Sequence, residues 1–201
     1  MRADAIVFGI AGTLFGLIIG WVLGTQQALR TAPVAAPVAQ SAPAGEQPPA
    51  PGPAPIDPAR VTALQDAAAK SPQDAQPRVQ LGNIFFDGEQ YPQAITWYEQ
   101  ALALNPNDAN VSTDLGVAYY YTNQPDRALA QFDKSLAVEP RHIKTLLNIG
   151  IVRAFGKQDL GGAGKAWQQV VDLAPDSPEG QAAKKGLEGI KSAQGTGSGG
   201  K

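Results

Sequence analysis

The chain has no cysteine, one methionine and one histidine among its 201 residues. The missing cysteines exclude disulfide bonds, thiolate catalysis and zinc ribbons, because each of these needs a sulfur atom. With His142 as the sole imidazole, carboxylates are the main remaining groups for metal binding or acid–base catalysis, and none cluster at helical spacing. We therefore expect a protein that is not an enzyme and holds neither a metal nor another cofactor. His142, beside Arg141 in a turn, is expected to be solvated.

Net charge is also small, at −2. No strong field points to a nucleic acid, so none is expected as a partner. The charge is unevenly placed, because the stretch from Arg60 to Asp126 has eight acidic and three basic residues, whereas Arg127 to Lys191 has seven acidic and ten basic residues.

The N-terminal segment has no charge between residues 5 and 24. A helix of 20 residues is about 30 Å long, the thickness of a bilayer's hydrocarbon core, so residues 1–30 are predicted to form a single transmembrane anchor. A cleaved signal peptide is the alternative, although its apolar core is usually shorter. Four glycines recur at four-residue spacing, the pattern by which membrane helices approach each other closely. These predicted helix-contact residues are Gly12, Gly16, Gly20 and Gly24.

Residues 31–57 are rich in proline and alanine and carry only two charges, Glu46 and Asp57. Such a segment cannot bury a core and is expected to be an extended or disordered linker that holds the following domain away from a membrane. Arg2 and the N-terminal amine precede the apolar segment and Arg30 follows it. Together with the linker and the missing cysteines, this favours a C-terminal domain that lies outside the cytoplasm.

An internal repeat occupies the rest of the chain. Prolines at 72, 106, 140 and 175 follow one another at intervals of 34, 34 and 35 residues. Between them one pattern recurs: Leu81-Gly82, Ala94 and Tyr98; then Leu115-Gly116, Ala128 and Phe132; then Ile149-Gly150, Ala163 and Trp167. The third copy has one extra residue between its glycine and its alanine, which we place in the turn "FGKQDLGG". It also has Arg153 where the other copies have an aromatic residue.

This pattern resembles the tetratricopeptide repeat (TPR) family, whose members stack pairs of helices into a solenoid. The resemblance implies an all-α fold with three repeats, at 75–108, 109–142 and 143–176. A capping helix is expected on each side, at 58–74 and 177–193, and a flexible tail at 194–201. Asp57-Pro58 and Ser177-Pro178 are typical helix starts.

The resemblance also implies a concave groove, lined by the first helix of each repeat, that binds a peptide or helical segment of a partner protein. The predicted groove residues share the face beside the Leu-Gly positions. They are Val79, Asn83, Phe86, Asp87, Val117, Tyr120, Tyr121, Leu147, Ile151 and Phe155. Most are apolar, and exposed apolar patches usually mark interaction sites. The alternative is that a capping helix or a second subunit covers part of this face, especially in the third repeat.

The sequence thus favours a membrane-anchored adaptor or scaffold. Its architecture is similar to bacterial membrane-anchored TPR proteins such as those of cytochrome c-type biogenesis. This resemblance implies a single-pass protein of the bacterial inner membrane with a periplasmic C-terminal domain, and a role in assembling an envelope protein complex. The alternative is a structural protein that forms homo-oligomers through the glycine-striped helix and the TPR faces.

Overall fold

The computed structural model describes residues 52–197, and they form eight α-helices without a strand. The predicted anchor and its four glycines, most of the linker, and residues 198–201 lie outside the described residues. Within residues 52–197, no helix combines the length and apolar character that crossing a bilayer would need.

The helices follow each other as antiparallel neighbours would in a solenoid. They are α1 (Pro58–Lys70), α2 (Gln76–Asp87), α3 (Tyr91–Leu104), α4 (Ala109–Tyr121), α5 (Pro125–Val138), α6 (Ile143–Ile151), α7 (Leu160–Leu173) and α8 (Pro178–Gly197). Each helix packs against the next, and α6 also contacts α4 and α8. The all-helical repeat architecture is therefore confirmed. The last helix ends at Gly197, four residues inside the stretch expected to be a flexible tail.

Local signals in the sequence explain where the helices begin. The Asp57 carboxylate accepts a hydrogen bond from the backbone N–H of Ala59, and Pro58 occupies the first helical position. Asp108 caps α4 and Asp159 caps α7 in the same way. A side-chain oxygen at this position satisfies a backbone donor that has no partner inside the helix.

The repeated glycines are where paired helices approach most closely. A Cβ atom on Gly82 would overlap the ring of Tyr98, one on Gly116 the ring of Phe132, and one on Gly150 the indole of Trp167. Each ring is almost fully buried and comes from the second helix of the same repeat. The pairing of a glycine with a large aromatic residue therefore forms the core of each helix pair.

The extra residue of the third repeat lies in a helix and not in the turn that the sequence predicts for it. All three repeats turn through three residues, at 88–90, 122–124 and 157–159. The central residues Glu89, Asn123 and Gln158 all have φ between 55° and 59°. Repeat three absorbs its insertion in a π-helix, Val152–Gly156, which continues α6. The turn thus keeps its length and its left-handed central residue in all three repeats, and one widened helical turn holds the inserted residue.

Candidate functional site

The groove face is the surface formed by the predicted groove residues of α2 and α4. Its exposed members are Asn83 and Asp87. The others are half-buried and pack partly against the core: Val79, Phe86, Val117, Tyr120 and Tyr121. Phe155, in the π-helix of repeat three, is also half-buried. The groove face is therefore a partly apolar surface whose side chains also pack against the protein's own core.

An aromatic cluster joins the first two repeats along this face. Tyr91 stacks on Tyr121, with 4.5 Å between ring centroids and 11° between ring planes. Phe86 meets both rings edge-on, at 5.4 Å and 6.3 Å, and Tyr120 lies 6.0 Å from Tyr121. Tyr91 was not among the predicted groove residues. Its position at the start of α3, directly after the three-residue turn that follows Phe86 and Asp87, is the signal that could have identified it.

A polar group accompanies the aromatic cluster. The Tyr98 hydroxyl donates to Asn83 Oδ1 at 2.8 Å, and Lys144 Nζ donates to Asp114 Oδ1 at 2.9 Å, which links α6 to α4. Loss of hydration raises the pKa of Asp114, and the Lys144 charge opposes this shift. Loss of hydration also raises the pKa of Asp87, and the negative charge of Asp114 raises it further by a smaller amount. The charges of Asp114 and Lys144, which are bonded to each other, therefore both act on the Asp87 carboxylate.

Two predicted groove residues of repeat three are in the protein interior. Leu147 is 2% exposed and Ile151 is 5% exposed, so a partner cannot reach them in this conformation. Both belong to α6, which is enclosed by α4, α5, α7 and α8. The prediction that they line an open groove is wrong, and the alternative in which neighbouring helices cover this part of the face applies to repeat three.

His142 is not the solvated side chain that we expected. Its Nδ1 lies 2.6 Å from Thr145 Oγ1, and its Nε2 lies 3.2 Å from Asn110 Oδ1. Thr145 belongs to a buried cluster with Thr113 and Ser135, whose hydroxyl oxygens lie 2.6–3.0 Å apart. These three side chains come from α4, α5 and α6 and are completely buried. The cluster holds repeats two and three together and does not form an accessible site.

Arg153, at the position that is aromatic in the other repeats, bonds to the carboxylate of Asp159 at 2.7 Å. The same carboxylate caps α7 through the N–H of Gly162. The hydrogen bond from the Gly162 N–H, and then the one from Arg153, hold the pKa of Asp159 below its ordinary value. Arg153 therefore supports the fold at the end of the π-helix.

A cleft of about 440 Å³ lies away from the groove face, among α3, α4 and α5. Its polar side is closed by a network in which the Tyr119 hydroxyl donates to Glu99 at 2.5 Å and Arg127 donates to both. The Arg127 guanidinium also lies 4.0 Å from the centroid of the Tyr119 ring. Since these charges already satisfy one another, the cleft is best explained as the junction between repeats one and two. Among the described residues, no group of three or more acidic or histidine side chains could hold a metal ion.

Comparison with known families agrees with this geometry. A family model described as "TPR repeat" matches residues 82–123, and one described as "Tetratricopeptide repeat" matches residues 113–178. No curated protein matches the chain.

Solved structures share the fold. The TPR domain of Sgt2 from Aspergillus fumigatus is 25% identical, with a TM-score of 0.56 over 63% of this chain and 82% of that chain. The first TPR domain of human RPAP3 is 24% identical, with a TM-score of 0.55 over 61% and 93%. The first TPR of Spaghetti (RPAP3), bound to the HSP90 peptide SRMEEVD, is 22% identical, with a TM-score of 0.52 over 70% and 97%.

Proposed function

We propose, because the chain belongs to the tetratricopeptide repeat family, that it is an adaptor whose groove face binds a peptide or helical segment of another protein. The observation that carries this proposal is the half-buried aromatic cluster, which combines apolar contact area with polar groups at Asn83 and Asp87. Rigid aromatic side chains beside polar groups are typical of binding hot spots. The Spaghetti relative, which has the same fold, is bound to a peptide.

We further propose that the apolar N-terminal segment tethers this adaptor to a membrane, with the TPR domain on the periplasmic side. The support comes from the sequence, where 20 uncharged residues are followed by a proline-rich linker. Assembly of an envelope protein complex, as in cytochrome c-type biogenesis, is the role that this architecture favours. Protease added to spheroplasts should then digest the TPR domain, whereas digestion only after lysis would contradict the periplasmic location.

A crosslinking pull-down with the full-length protein tests the binding role. The groove variant combines Val79→Ala, Phe86→Ala and Val117→Ala. We expect it to capture at least about tenfold less partner, since losing about 1.4 kcal/mol of binding free energy lowers affinity tenfold. The matched control combines Val138→Ala and Leu160→Ala, which truncate exposed apolar side chains on α5 and α7. It should capture as much partner as the wild type.

Thermal unfolding of both variants separates binding from folding. If the groove variant captures less partner while remaining folded at the temperature of the pull-down, the groove face binds the partner. Equal capture by the groove variant and the wild type would refute the proposal.

A structural, self-associating protein remains the second candidate, because the glycine register favours helix–helix contact. Gly16→Ile with Gly20→Ile should abolish self-association in a membrane two-hybrid assay, whereas Gly9→Ile, off the stripe, should not. If both variants behave like the wild type, the register does not reflect a helix contact.

A further inference from the structure

Acidic side chains outnumber basic ones on and beside the groove face. Asp87 belongs to the groove face, and Asp114 lies on α4, three residues before Val117 of the same face. Burial has the largest effect in raising the pKa of the Tyr98 hydroxyl, and the negative charges of Asp114 and Asp87 raise it further. The lysine of the same surface, Lys144, is already bonded to Asp114 at 2.9 Å. The Lys144 charge is therefore already paired with a carboxylate of the same chain.

Asp87 differs from Asp114 because no described cation lies within 4.0 Å of its carboxylate. Arg60 on α1 acts on it only from a greater distance, where it lowers the pKa and thus opposes the effect of lost hydration. Asp87 is exposed. It is thus a carboxylate on the groove face with capacity for a further cation.

Asn83 lies one helical turn before Asp87 and supplies a second kind of contact. Its Oδ1 accepts the hydrogen bond of the Tyr98 hydroxyl, which fixes the side-chain amide and leaves Nδ2 as a donor at the surface. An amide donor next to a carboxylate suits a peptide that offers a backbone carbonyl beside a positively charged side chain.

We infer that the segment bound by the groove face carries a lysine or arginine opposite Asp87 and an apolar residue against the aromatic cluster. This inference rests on the proposed function and specifies the chemistry of the partner. An acidic segment such as SRMEEVD, the peptide bound by the Spaghetti relative, is disfavoured here. Its carboxylates would face Asp87 and Asp114, and Lys144 is already paired.

Fluorescence anisotropy with two labelled peptides tests the inference on the full-length protein in nonionic detergent. The probes are SRMEEVD and the charge-reversed amide SRMKKVK. We expect the basic peptide to bind at least about fivefold more tightly at low salt, with the difference shrinking as salt is added. Asp87→Asn should weaken the basic peptide by about fivefold, because it removes the charge and keeps the shape. Asp133→Asn, an exposed carboxylate on α5, should leave both affinities unchanged.

Three results would overturn the inference: equal or tighter binding of SRMEEVD, unchanged affinity of Asp87→Asn for the basic peptide, and no binding of either peptide. The pull-down distinguishes this failure from failure of the proposed function. If partner capture still depends on the groove variant, the groove binds a partner of different charge. If capture does not depend on it, the proposed function fails as well.

Discussion

Tyr91 and Tyr121 stack face to face although they belong to different repeats, with 4.5 Å between their ring centroids. The contact connects the start of the second helix of repeat one to the end of the first helix of repeat two. Part of the groove face is therefore also an inter-repeat contact, so a substitution there changes both binding and stability. Experiments on the aromatic cluster must measure the two effects separately.

A double-mutant cycle should quantify this stack. We expect Tyr91→Leu and Tyr121→Leu to show a coupling free energy of about 0.5–1.5 kcal/mol in urea unfolding, as aromatic pairs do beyond the area they bury. Tyr91→Leu with Phe155→Leu provides the comparison pair, since Phe155 lies in repeat three, and its coupling should be smaller. A coupling near zero for the first pair would show that the stack does not stabilise the folded domain.

Gly116 and Gly189 should respond in opposite directions to the same substitution. A Cβ on Gly116 would overlap the buried ring of Phe132, so Gly116→Ala should destabilise the domain by about 1–3 kcal/mol. Gly189, inside α8, has no atom within 4 Å of its Cβ position. Gly189→Ala should stabilise the domain by about 0.5–1 kcal/mol, because alanine is the better helix former. Chemical unfolding of both variants measures the difference, and equal effects would contradict the close approach at Gly116.

The repeat itself could be predicted from the sequence because its spacing records physical contacts. In repeat two, the two helices meet at Leu115-Gly116, Ala128 and Phe132, which are all apolar or small. The same constraint applies at the equivalent positions of the other repeats. The period of the glycines and prolines therefore predicts the number of repeat helices and the pairing of each large aromatic residue with a glycine.

The local departures in repeat three could not be predicted in this way. The spacing shows that a residue is inserted between Gly150 and Ala163, but a π-helix and a longer turn give the same spacing. Leu147 and Ile151 occupy repeat positions that are half-exposed or exposed in repeat one, at Val79 and Asn83. Their burial depends on the helices that enclose α6, which a single-repeat pattern does not contain.

The buried hydroxyl cluster was missed for a related reason. Thr113, Ser135 and Thr145 stand at unrelated repeat positions, and each alone resembles an ordinary helix-surface residue. Their spacing in sequence gives no signal, because three different helices bring the oxygens together.

Removing one hydroxyl from this cluster should destabilise the domain. Thr113→Val keeps the shape of the side chain but leaves Thr145 and Ser135 short of a buried partner, at a cost of about 1–3 kcal/mol. Thr113→Ser keeps the hydroxyl and should cost less than Thr113→Val. Urea unfolding of the two variants gives the comparison, and a valine variant as stable as the wild type would show that the cluster contributes no net stability.

Asp114 should make the stability of the domain depend on pH in a direction opposite to that of most carboxylates. Loss of hydration raises its folded-state pKa above the ordinary value of 3.8. In the window between these two values the folded protein binds more protons than the unfolded chain, so the contribution of Asp114 to stability falls as pH rises through the raised pKa. Asp114→Asn removes this titration. Relative to the asparagine variant, the wild type should therefore lose stability as the pH rises above 3.8.

Lys144 provides the control for this pH dependence, because its charge lowers the pKa of Asp114. Lys144→Met removes that charge and should raise the pKa of Asp114 further, which extends the window to higher pH. Urea unfolding of the wild type and both variants at several pH values measures the effect. We expect the loss of stability with rising pH, taken relative to Asp114→Asn, to be larger for Lys144→Met than for the wild type. A difference between wild type and Asp114→Asn that stays constant with pH would show that Asp114 titrates alike in the folded and unfolded chains. The carboxylate would then be hydrated in the folded protein, and the packing of α4 against α6 around the Asp114–Lys144 pair would have to be more open than the structure shows.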